Sequence, residues 1–134
     1  MLINIFGFAF IFIYRPDNSL LDTASQLNSF SPGTLIETYD AELFIYLNQP
    51  YHYPPDDVQL KLVERQFLDS ETTLDYNPLD YDPEIIVIGP MGKLYGLYDD
   101  TVSLEEFKLF KEYGRYAIYI RTSTNSISSL PYTP

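Results

Sequence analysis

The sequence predicts an α+β fold: one domain holding a mixed or antiparallel sheet of about five to six strands with two short helices. Three observations lead there. Period-two stretches rich in β-branched and aromatic residues recur along the chain, two other segments carry helix start and stop signals, and Pro/Gly clusters separate them. A length of 134 residues suits a single domain, assigned to residues 1–121, followed by an extended C-terminal arm over 122–134.

The first expected strand is Met1 to Tyr14. Even positions carry Leu2, Phe6, Phe8, Phe10, Phe12 and Tyr14, odd positions small or β-branched residues, a pattern for a central strand covered on both faces. Arg15, Pro16 and Asp17 end the run short of the roughly 20 apolar residues of a spanning helix, and no basic leader precedes it, so a membrane role is not expected. Asn18 to Phe30 reads as a helix, with a Ser19-x-x-Asp22 capping box and Leu20, Ala24 and Leu27 at helical spacing.

Thr34 to Leu47 alternates again (Tyr39, Ala41, Leu43, Ile45, Leu47) and predicts a strand. Asn48 to Asp57 holds three prolines and predicts a rigid loop outside any ladder. Val58, Leu60 and Leu62 against Gln59 and Lys61 predict a further strand to about Leu68, and the acidic, proline-punctuated stretch Asp69 to Glu84 a long surface excursion. Ile85 to Ile88 and Lys93 to Tyr98 flank Gly89-Pro90-Met91-Gly92 and predict a hairpin. Thr101 to Gly114 carries a Ser103-x-x-Glu106 capping box, Leu104, Phe107 and Phe110 on one face, and a terminal glycine, which predicts a second helix. Arg115 to Arg121 alternates and closes the order β-α-β-β-β-β-α-β.

Composition excludes more function than it assigns. The absence of cysteine removes disulfides, thiolate metal sites and cysteine nucleophiles, and a single histidine, His52, leaves any metal site to oxygen ligands. Asp80-x-Asp82-x-Glu84 with Asp75 supplies such oxygens, but without the calcium-loop spacing or its central glycine, so loop solvation is the expected role. The two glycines of 89–92 lack the phosphate-loop spacing, and no nucleophile motif accompanies His52, which reads as a solvated loop residue. No catalytic residue, metal or cofactor is assigned.

The net charge of −11 is uneven: residues 1–68 contribute −5, residues 69–106 contribute −9, and residues 107–134 contribute +3. That field opposes direct binding to nucleic acid or an anionic membrane. The expectation is a non-enzymatic protein-binding subunit of a larger assembly, a virus or phage particle component being one concrete form, whose partners are proteins, copies of itself included. The expected contact residues are Tyr51 and Tyr53 in the proline loop, Asp75, Tyr76, Asp80, Tyr81, Asp82 and Glu84 in the acidic stretch, and Ile127, Leu130 and Tyr132 on the arm. The alternative is an acidic inhibitor or immunity-type protein whose middle segment occupies the basic cleft of a nucleic-acid enzyme, as a nucleic-acid mimic.

Overall fold

A computed structural model of the protein describes residues 17–68, 73–99 and 106–122. The strand expected over Met1 to Tyr14 and the arm residues Ile127, Leu130 and Tyr132 lie outside the described residues.

Ser19–Asn28 forms helix α1, as its spacing predicts, with Thr23, Ala24 and Leu27 turned inward. The expected capping box is corrected. Ser19 is itself the first helical residue, and the carboxylate of Asp17 accepts its N–H at 3.0 Å.

The long strand expected over 34–47 is only three residues, β1, Ile36–Thr38; a 3-10 helix, Ala41–Ile45, follows it. Asp40 is the reason. Its buried carboxylate accepts N–H bonds from Gly89 at 2.7 Å and Met91 at 2.8 Å, which turns the chain out of the sheet. The proline loop is corrected as well: Tyr51–His52 forms a short parallel edge strand, β2, with Pro50, Pro54 and Pro55 placed outside the paired residues.

The strand expected over 58–68 is helix α2, Asp56–Phe67. Val58 and Leu62 are four apart and face the core, Asp56 and Asp57 occupy the first turn where the helix dipole favours acids, and Arg65 reaches from the last turn to the Tyr95 carbonyl. The apparent alternation depended on Leu60, which points outward.

Strand β3, Ile85–Ile88, forms as predicted and is buried along its whole length. The hairpin expected after it is instead helix α3, Pro90–Tyr95, begun by Gly89 and Pro90 and stopped by Gly96 at φ +59°. The helix expected over 101–114 is corrected to a strand where it is described: β4, Phe107–Tyr113, turns at Gly114 (φ +55°) into β5, Tyr116–Arg121. A bulge at Phe110, between the pairs Leu109–Tyr119 and Lys111–Ile118, resets the alternation and produces the helix-like Phe107/Phe110 spacing.

The five strands make one mixed sheet in the order β2-β1-β3-β5-β4, parallel across β2-β1-β3 and antiparallel across β3-β5-β4, and the α+β class holds. On one face Ile36, Ile85, Val87, Tyr116 and Ile118 pack under α1 and Leu43. The other face packs Ile86, Ile88 and Phe107 with Val58 and Leu62 of α2 and Tyr95 of α3, together with Leu74, Tyr76 and Leu79 from the irregular segment 73–84. The surface excursion expected for that segment is therefore partly packed inward. No helix among the described residues is long and apolar enough to cross a membrane.

Candidate functional site

The parallel register sets Glu37 of β1 beside His52 of β2. Because Ile36 and Thr38 point to the α1 face, Glu37 points to the other, where it is fully buried. Three donors from three segments converge on its carboxylate. His52 Nδ1 lies 2.5 Å from Oε2, and the Tyr76 and Tyr98 hydroxyls donate to Oε1 at 2.5 and 3.0 Å. Tyr81 stacks on the His52 imidazole with ring centroids 3.6 Å apart. When Glu37 is ionised its carboxylate only accepts, and Nδ1 then carries the proton of the His52–Glu37 contact. That leaves Nε2 as the outward nitrogen, and no described residue bonds to it.

Burial pushes the Glu37 carboxyl above its ordinary range, against the lowering effect of the Tyr76, His52 and Tyr98 bonds. Asp40 is raised by burial too, against the N–H groups of Met91, Gly89 and Gly92. The Tyr76 and Tyr98 hydroxyls are pushed up first by burial and further by Glu37, so both stay protonated donors. For both acids the folded state holds its proton to higher pH than the unfolded chain does. Their contribution to stability is complete below the unfolded values of 4.5 and 3.8 and is lost as pH rises through the folded ones. The melting temperature should therefore fall as pH rises above 4.5, and less steeply in Glu37→Gln. Calorimetry at several pH values checks this; a melting temperature that rises with pH above 4.5 contradicts it.

The structure brings some of the sequence-selected residues together. Tyr76 and Tyr81 meet around His52, whereas Tyr51 stacks on Phe44 at 3.9 Å and Tyr53 on Tyr39 at 5.4 Å. Most of the acidic residues are held within the chain: Asp80 accepts from Asn77, Asp82 pairs with Arg121, and Glu84 accepts the Leu35 N–H at 3.3 Å. Asp75 is exposed. No group of three or more histidine, aspartate or glutamate side chains is arranged to hold a metal ion among the described residues.

Sequence reasoning missed Glu37, although a lone acid between Ile36 and Thr38 in a buried strand is a detectable signal. It also missed the outer face of α2. At 100° per residue, Asp56, Leu60, Val63 and Phe67 lie within about 60° of arc, opposite the buried Val58 and Leu62. Leu60 is 60 % exposed, Val63 40 % and Phe67 65 %. Asp57 and Glu64 flank this apolar stripe on one side, Gln59 and Gln66 on the other.

No family model matches the chain, and neither the search of curated proteins nor the search of solved structures returns a match.

Proposed function

We propose that the chain is a non-enzymatic protein-binding subunit of a larger assembly and that it docks its partner on the outward face of α2. The observation that carries this reading is the placement of Leu60, Val63 and Phe67 at helical spacing on the side of α2 facing solvent. Single exposed apolar residues are ordinary, but a contiguous stripe along a surface helix is not. Its occupant is an amphipathic helix with apolar anchors three and four residues apart and basic residues on the flank meeting Asp57 and Glu64. The net charge of −11 supports a basic partner over an acidic one.

The test places a photo-crosslinking amino acid at position 60 and, as control, at Leu21, an exposed apolar position on α1. The expected result in the native source is one protein adduct from position 60 that is absent from position 21, identified by mass spectrometry and confirmed with the purified protein. Equal adducts from both positions, or none from position 60, overturn the reading.

A further inference from the structure

Residues 73–82 cross the α2/α3 face of the sheet without joining any ladder. Their main-chain bonds are internal: the Asp80 N–H donates to the Asn77 carbonyl at 3.1 Å and the Asp82 N–H to the Leu79 carbonyl at 2.9 Å. Asn77 adds its side chain, accepting from the Leu79 N–H and donating to the Asp80 carboxylate. No main-chain bond joins 73–82 to another described residue; the first such tie is the Glu84 N–H to the Leu35 carbonyl at 3.0 Å.

What holds the segment down is a short set of side chains. Tyr76 donates to Glu37, Tyr81 stacks on His52, Asp82 pairs with Arg121, Leu74, Tyr76 and Leu79 pack on the core, and Pro78 is buried. The Asp82–Arg121 pair joins an 87 % exposed carboxylate to a 13 % exposed guanidinium, so solvent screens it from the Asp82 side. The anchor side is different in kind. Glu37 is buried in β1, and two of its three donors, His52 and Tyr98, lie outside the segment. The acceptor therefore keeps two partners when Tyr76 leaves, which makes departure of the segment far less costly than loss of the carboxylate itself.

We propose that residues 73–82 are a detachable strap, fastened to the sheet through Tyr76 on Glu37 and Tyr81 on His52, that leaves the sheet and loses its internal turns together while the sheet stays folded. Opening uncovers the Glu37–His52 pair and the apolar surface beneath Leu74, Tyr76 and Leu79, and it releases Asp82 from Arg121. Segments held by few side-chain contacts form local opening units of this kind.

Hydrogen exchange on the full chain tests it. In the wild type, the amides of Leu79, Asp80 and Asp82 should exchange well before those of β3 and β5, although each is hydrogen-bonded. Tyr76→Phe should accelerate the three strap amides by about tenfold, the factor expected for loss of one strong hydrogen bond, with β3 and β5 changing less than about twofold. Tyr81→Ala removes an exposed ring and should accelerate the same three amides; if Tyr76→Phe does not fold, this variant decides alone. Unchanged strap amides in the folded variants, or an equal acceleration in β3 and β5, overturn the proposal.

Discussion

Glu37→Ala is expected to destabilise the domain by about 3–5 kcal/mol in urea denaturation, because it strands three hydrogen-bond donors at about 1–3 kcal/mol each. The loss would not come from the methylene packing alone. With the carboxylate gone, the Tyr76 and Tyr98 hydroxyls and His52 Nδ1 converge on a space that offers no acceptor, and each buried unpaired donor costs about 1–3 kcal/mol. The losses should accordingly be non-additive. Adding Tyr76→Phe and Tyr98→Phe to a Glu37→Met background should restore much of the stability, because apolar groups of similar shape then replace the carboxylate and two of its three donors. Glu37→Gln, which keeps an acceptor oxygen and the side-chain shape, should be milder than Glu37→Ala. A Glu37→Ala loss below about 1 kcal/mol would mean that the three donors find other partners.

Gly89→Ala carries the second large effect, about 3 kcal/mol, at the upper end for overpacking a well-filled core. A Cβ there would stand 2.6 Å from Asp40 Cγ and 2.6 Å from Tyr116 Cδ1. Neither neighbour can yield easily. Asp40 is buried and tied to the N–H groups that begin α3, and Tyr116 is buried with its hydroxyl bonded to Glu42. The backbone at Gly89 is extended, so the requirement is for space and not for a left-handed conformation. Gly92→Ala is the matched control. Its nearest atoms would be Ile88 Cγ2 at 3.2 Å and Tyr98 ring carbons at 3.4 Å, and alanine favours a helix by about 1 kcal/mol over glycine, so a near-neutral change is expected. Equal losses at the two positions would contradict this account of the Asp40–α3 junction.

The parts of the fold legible in the sequence are those where local pattern and tertiary role agree. Ile85–Ile88 is uniformly apolar and lies in the centre of the sheet; Tyr116–Arg121 alternates and is paired on both sides; Thr23, Ala24 and Leu27 show the inward stripe of α1. Elsewhere a single residue reversed the reading. Leu60 gave α2 the period of a strand because it is an outward apolar residue, the feature the proposed docking reading rests on. Phe110 gave β4 the period of a helix because it is a bulge. Asp40 ended β1 through a bond to a backbone 49 positions away, which no local window contains. At the candidate site the aromatic loops were legible from composition, but their meeting around His52 depends on the β1–β2 register. The acidic stretch reads as one continuous surface in sequence; in the fold Asp80, Asp82 and Glu84 each turn to a different partner.

The docking reading meets its most direct test in one titration. The protein cross-linked from position 60, once purified, is titrated by calorimetry against the wild type and Leu60→Glu/Phe67→Glu. Both side chains are exposed in the isolated domain, so the double variant should melt within a few degrees of the wild type. Burying each against a partner contributes about 1.5–3 kcal/mol, so their joint replacement by acids, losing at least about 2 kcal/mol, should weaken binding about thirtyfold or more. An affinity for the double variant within about twofold of wild type would place the contact elsewhere and contradict docking on α2.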